Sequence, residues 1–259
     1  APLALAAGLL AEANLIRLVT AIDERSAAFL AVGQSASKGE VTAVITTSGT
    51  AVAELLPAAV EADRSCHPLI LITADRPLRL KNCGANQTVN QEEFLIPACR
   101  GVLQPPSEGF HLMQDDDIDT FSEECWQKAH IQPGPVHLNI PFEEPLYASK
   151  SEQEFVWDQL SNSSINTKEI SLRVEEKKGV SLPKDFPFLN PALPGVIIAG
   201  PWRGSESELP AFLKALRDWQ IVSNWPLIAD PLSGVAQNQV GLIQSWEVLI
   251  KDSSFAKNK

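Results

Sequence analysis

The sequence is short of most residues that would classify it quickly. It has one Met, one Tyr, four Cys and four His among 259 residues. Cys66, Cys83, Cys99 and Cys125 form no CxxC pair and no Cys/His spacing, which argues against a structural zinc or a disulfide scaffold and reads as reduced thiols. Cations are outnumbered, with 21 Lys and Arg against 32 Asp and Glu and a formal net charge of -11. Phosphate-backbone binding needs clustered Lys and Arg, so nucleic acid is not the expected partner. No apolar run approaches the roughly 20 residues that cross a bilayer, and the opening APLALAAGLL lacks the basic residue of a secretory signal. The expected location is cytoplasmic. Neither GxxxxGK[ST] nor GxGxxG occurs, so no phosphate loop or dinucleotide site is expected. The chain starts at Ala1 rather than Met and closes on LIKDSSFAKNK without a completing element, and is expected to be a fragment.

What is present is an ordinary globular composition, 44% hydrophobic and 20% charged, in a chain long enough for more than one core. The period of hydrophobicity switches repeatedly. Ala4 to Leu15 is helix-like, LVTAI (Leu18 to Ile22) reads as a short strand, and Glu24 to Ser37 as a helix. VTAVIT (Val41 to Thr46) predicts a strand, Ala51 to Ala62 a helix, and HPLILITA another strand. DDDIDTFSEECWQKAH puts Ile118, Phe121, Cys125, Trp126 and Ala129 on one helical face, and PVHLNIP is a further strand. Strands alternating with helices imply an α/β fold with a parallel sheet wrapped on both sides.

From about Tyr147 to Pro191 the composition turns polar and loses its period, which predicts an interdomain linker over 148–190. GVIIAG, ELPAFLKALRDW and PLIAD then open a second α/β domain over 191–259, for which the remaining length allows about half.

Ligands of open parallel sheets lie at the carboxyl ends of strands. Three turns there hold reactive groups. In IDER, Glu24 is either a helix-capping acid or a catalytic one, and on the residues alone capping is preferred. In TTSGTA, Ser48, Gly49 and Thr50 either cradle a polar ligand or simply cap the next helix. The third stretch is TADRPLRLKNCGANQ. Asp75 and Arg76 could form a surface pair of little energetic weight, and Gly84 a plain αL kink. Alternatively, a loop returning Arg76, Asn86 and Gln87 to one strand end presents a bidentate cation and two amides, a receptor for carboxylates. Pattern alone leaves both open.

The series DER, TSGTAVAELLPAAVEA, LILITADRP, CGANQ and GPVHLNIPFEEPLY, from Ala1 to about Tyr147, resembles the N-terminal half of the 2-succinyl-5-enolpyruvyl-6-hydroxy-3-cyclohexene-1-carboxylate synthases. GVIIAG and WPLIADPLSG extend the likeness more weakly. TADRP with CGANQ is specific to this branch, whereas the SGT turn is shared more widely. The resemblance implies that residues 1–147 are a pyrimidine-binding domain and 191–259 part of a central domain. It implies thiamine diphosphate and Mg²⁺ as cofactors, decarboxylation of 2-oxoglutarate, and transfer of the succinyl unit to isochorismate in menaquinone or phylloquinone biosynthesis. A homodimer or homotetramer is implied for the complete protein, and a chloroplast location if the source is a plant or alga. The two other readings are an acetolactate-synthase-like thiamine diphosphate enzyme and a noncatalytic remnant of the domain.

Residue by residue, the resemblance reverses the preference at Glu24. It becomes the glutamate that hydrogen-bonds N1′ of the cofactor's aminopyrimidine, with a raised pKa expected from poor solvation behind the apolar LVTAI. Ser48, Gly49 and Thr50 would lie near that ring. Arg76 would face a substrate carboxylate, and Asn86 and Gln87 would line the substrate side, Gln87 beside the reacting atoms. The family's GSRS segment and its GDG metal motif do not occur in the chain, so no Mg²⁺ ligand is named and the chain alone is expected to be inactive. His67, His111, His130 and His137 are expected to be structural, Asp115 to Asp117 to be a solvated helix cap, and Trp202 and Arg203 to carry no site.

Overall fold

The computed structural model describes residues 2–106, 109–162, 190–204, 208–249 and 251. The chain divides into two compact units, Ala1–Glu175 and Glu176–Lys259.

The first unit is built on a sheet of four parallel strands in the order β1-β2-β4-β3, namely β1 (Thr42–Thr46), β2 (Leu69–Asp75), β3 (Val102–Leu103) and β4 (Pro135–Pro141). Two-residue periodicity gives each central strand two faces of different character. On β2, Leu69, Leu71, Thr73 and Asp75 share one buried face, so that face runs from apolar to polar toward the strand's carboxyl end. On β4, His137 and Asn139 lie in register with Leu71 and Thr73.

Helices cover both faces, as the alternating pattern predicts. Helix α2 (Glu24–Lys38) and α4 (Leu56–Ser65) meet through Ala28, Ala31, Ala58, Ala59 and Ala62, small residues that permit close approach, and they bury Val44, Leu69 and Leu71. Helix α6 (Asp115–Ile131) covers the other face with Cys125 and Ala129 against Val136 and Ile70. Burial pushes the Cys99 thiol up to about 12 and the Cys125 thiol up to about 11, so both stay protonated. Asp115, Asp116 and Asp117 are exposed in the first turn of α6, where negative charge suits the helix dipole.

Two local expectations are corrected, and the described start of a third stretch is helical. LVTAI is not a strand: it precedes α2 without a ladder partner, with Val19 66% exposed and Ile22 fully so. A β-branched run becomes a strand only beside another that takes its hydrogen bonds, and β1, the sheet edge, does not pair with it. The helix expected over Ala51 to Ala62 is two helices, α3 (Thr50–Ala53) and α4, because Pro57 has no N–H to continue the first. The stretch read as linker opens with a helix, α7 (Lys150–Asn162), started by a capping box in which the Ser149 N–H and hydroxyl both donate to Glu152 at 2.6 Å. Residues 163–189 of that stretch lie outside the described residues. Among the remaining elements of the unit are α1 (Pro2–Glu12) and α5 (Gln91–Leu95).

The second unit pairs β5 (Ile197–Ala199) with β6 (Leu227–Ala229) in parallel, joined through α8 (Leu209–Ser223), and its last element among the described residues is α9 (Trp246–Leu249).

Candidate active-site face at the carboxyl end of the sheet

Glu24 is the first residue of α2, and the capping role belongs to its neighbour. The Asp23 side chain accepts the Ser26 N–H at 2.7 Å, a bond that holds the Asp23 carboxyl below its usual range. Glu24 is half-buried and has no hydrogen-bond partner among the described residues. Helix α2 packs along β1 and is joined to it at the helix's own carboxyl end by Gly39–Val41. It therefore runs antiparallel to β1, which puts Glu24 at the same end of the sheet as the turn after Thr46.

In that turn Gly49 has φ 86° and ψ -139°, a conformation open to glycine and strained for other residues. The expectation that Ser48 or Thr50 caps the next helix is not met: Gly49 is the N-cap of α3 and no side chain completes the cap. Ser48 is buried and Thr50 exposed. A Cβ on Gly49 would meet the Cα, Cβ and carbonyl oxygen of Gln87 at 3.5 Å, so this turn and the CGANQ loop touch. Gln87 is itself at positive φ, 57°, and both it and Asn86 are exposed.

Asp75 and Arg76 do not form a surface pair. Asp75 is buried and receives Lys81 Nζ at 2.9 Å, Asn139 Nδ2 at 2.8 Å and the Arg76 backbone N–H at 2.7 Å. Lys81 also donates to both oxygens of Glu92 at 2.8 Å. Burial opposes the charge on Lys81, but its bonds to Glu92 and Asp75 outweigh that and raise its pKa. The Arg76 guanidinium, half-buried, is left without a carboxylate among the described residues.

Sequence reading missed the side chains that hold these turns together. Gln91, fully buried, accepts the Gly49 N–H at 2.9 Å and donates to the Ala74 carbonyl at 2.8 Å and to Asn139 Oδ1 at 2.7 Å. Thr73 Oγ1 donates to Asn139 Oδ1 at 3.0 Å and lies 2.8 Å from His137 Nε2. With the hydroxyl proton committed to Asn139, His137 donates through Nε2 and its Nδ1 has no partner among the described residues. Burial pulls the His137 pKa down to about 4, so the ring is neutral. The one available signal was the period-2 alternation that puts Thr73, Asp75, His137 and Asn139 on one face beyond the leucines.

The face thus collects a half-buried carboxylate and a guanidinium that lack partners among the described residues, and a glycine turn closed against an amide loop. That donor set fits a weakly basic heteroaromatic ring beside an anionic substrate. It does not fit a cation site: among the described residues no group of three or more His, Cys, Asp or Glu could hold a metal. Among them, too, no helix is long and apolar enough to cross a membrane.

A parallel α/β domain with its polar groups at the carboxyl edge defines a class that sequence comparison specifies. Residues 4–94 match the thiamine pyrophosphate enzyme N-terminal TPP binding domain. Over nearly its whole length the chain is similar to 2-succinyl-5-enolpyruvyl-6-hydroxy-3-cyclohexene-1-carboxylate synthases. It is 57% identical over 254 residues to the synthase of Prochlorococcus marinus (strain MIT 9303), covering 96% of this chain and 44% of that protein. For the synthase of Synechococcus sp. (strain WH7803) the identity is 51% over 250 residues, covering 96% and 43%. It is 49% identical over 259 residues to the synthase of P. marinus (strain NATL1A), covering 100% and 43%. The chain thus spans less than half the length of the curated relatives it matches.

Proposed function

We propose that this chain is the pyrimidine-binding and substrate-facing part of a thiamine-diphosphate-dependent carboligase. The complete protein would decarboxylate 2-oxoglutarate and add the succinyl unit to isochorismate, serving menaquinone or phylloquinone biosynthesis. In this reading residues 1–147 are the pyrimidine-binding domain, and 191–259 belong to a central domain. Thiamine diphosphate, when bound, supplies the electron sink for decarboxylation. Mg²⁺ and the diphosphate are held by residues outside this chain. The complete protein is a cytoplasmic or chloroplast homodimer or homotetramer.

The observation that carries the proposal is Glu24: a half-buried carboxylate at the carboxyl edge of the sheet, relieved of capping by Asp23 and without a partner of its own among the described residues. Its role is to hold a proton against a ring nitrogen of the aminopyrimidine, which Ser48, Gly49 and Thr50 seat. Arg76 pairs with a carboxylate of the incoming substrate. Asn86 and Gln87 orient that substrate through their amides, and Gln87 stands beside the reacting atoms.

The test uses the longest product of the reading frame that contains this chain, supplied with thiamine diphosphate, Mg²⁺, 2-oxoglutarate and isochorismate. Carbon dioxide release that requires both substrates, and is lost in Glu24→Gln, is the expected result. Preferential consumption of pyruvate would move the chain to the acetolactate-type enzymes, and wild-type turnover by Glu24→Gln would remove the assignment of Glu24.

A further inference from the structure

Beyond those residues, one buried side chain joins the turn after β1 to β2 and β4. Gln91 opens α5, and its single amide reaches the turn after β1 through the Gly49 N–H, the end of β2 through the Ala74 carbonyl, and β4 through Asn139 Oδ1. Its Nε2 also lies 3.3 Å from Thr73 Oγ1. No backbone carbonyl among the described residues takes the Gly49 N–H, so it depends on Gln91 for its bond. Gly49 in turn lies against Gln87, on the chain segment that leads into Gln91. The loop is therefore closed twice on the same turn, once by contact through Gln87 and once by hydrogen bond through Gln91.

We propose that Gln91 is a positioning residue: it fixes the Ser48–Thr50 turn in register with the Asn86–Gln87 loop, so that cofactor seat and substrate amides keep one spacing. The proposal builds on the functional reading above. Gln91 touches neither ligand and acts through Gly49 and Asn139. A side chain of the same length without an amide leaves the buried Gly49 N–H and Asn139 Oδ1 short of a partner, and the turn and loop are then free to shift relative to each other.

The experiment compares Gln91→Met with Val136→Ala, a core change against α6 on the other face of the sheet that lowers stability without touching the network. Amide hydrogen exchange is read on peptides covering 46–50 and 84–88 of this chain. In the complete protein, the Kd for thiamine diphosphate is measured by calorimetry, and KM for 2-oxoglutarate separately from kcat. Gln91→Met is expected to speed exchange in both peptides, to weaken cofactor binding about tenfold and to raise KM with it. At saturation kcat should stay within about threefold of wild type, the signature of lost ground-state positioning. Val136→Ala should lower Tm and leave exchange in those peptides, Kd and KM unchanged. A Gln91→Met protein that loses only Tm, or one whose two peptides exchange at the wild-type rate, overturns the proposal. If wild type itself neither binds thiamine diphosphate nor consumes 2-oxoglutarate, the functional reading fails on its own, and the exchange data alone decide whether Gln91 ties the turn to the loop.

Discussion

Lys81 Nζ lies 2.9 Å from Asp75 Oδ2, and both groups are nearly closed to solvent, with side-chain exposures of 11% and 1%. The cation that neutralises Asp75 is therefore six positions along the chain rather than next to it, and Arg76 keeps its charge for something else. A carboxylate so enclosed is tolerable only because Lys81, Asn139 and a backbone N–H all serve it.

Lys81→Met should therefore destabilise the first unit by about 3 kcal/mol, the usual consequence of leaving one member of a buried ion pair unmatched. Adding Asp75→Asn should recover part of the loss, because the orphaned charge then disappears. Urea unfolding of the two variants checks this; equal midpoints for wild type and Lys81→Met would show that Asn139, the Arg76 N–H and solvent already satisfy Asp75.

Arg76→Ala should leave folding intact, since the guanidinium holds nothing else among the described residues. In the complete protein it should raise KM for the 2-oxoacid roughly 10- to 100-fold, the range of one charge-assisted hydrogen bond. Arg76→Lys should restore only part, because an ammonium cannot make the bidentate contact. Steady-state kinetics on the three proteins decide it, and an unchanged KM in Arg76→Ala would assign the substrate carboxylate to another cation.

Much of the fold was legible because it follows from hydrophobic period. β1, β2, β4, α2 and α6 fall where alternating and helical patterns predict them. LVTAI failed because strand formation depends on a neighbour, which its own composition does not report. The candidates after β1 and β2 were visible as chemistry at strand ends, but what supports them was not. Gln91 and Asn139 look like ordinary loop and strand residues until the register of β2 and β4 brings Thr73, Asp75 and Asn139 onto one face. Lys81 looks like a solvated charge until Asp75 is seen to be buried.

Gly49→Ala should cost about 1 to 3 kcal/mol, and the cause is backbone conformation rather than crowding. At φ 86° and ψ -139° an alanine is strained, while its Cβ would sit at ordinary contact distance, 3.5 Å, from Gln87. Thermal unfolding checks the loss. A compensating Gln87→Gly, which removes side-chain contact but not strain, should fail to restore Tm; full recovery would place the cause in packing.

The buried imidazole gives the chain a defined acid sensitivity. His137 has its pKa drawn down to about 4 by burial, against 6.5 for an ordinary histidine. Above pH 6.5 the ring is neutral in both the folded and unfolded chain, and its contribution to stability is fully present. As pH falls from 6.5 toward 4 the unfolded chain takes up the proton first, so stability drops by about 1.4 kcal/mol per unit, roughly 3 kcal/mol over the window. Below about 4 the folded chain binds the proton as well and the loss levels off. Carboxylates titrate at the acid end of the same range, so the clean reading is the difference between wild type and His137→Gln in urea unfolding between pH 6.5 and pH 5. Glutamine can still donate toward Thr73 but carries no titrating group, so its stability should change less steeply there. Parallel curves for the two proteins would show that the ring is protonated equally in both states and that burial does not hold it neutral in the folded chain.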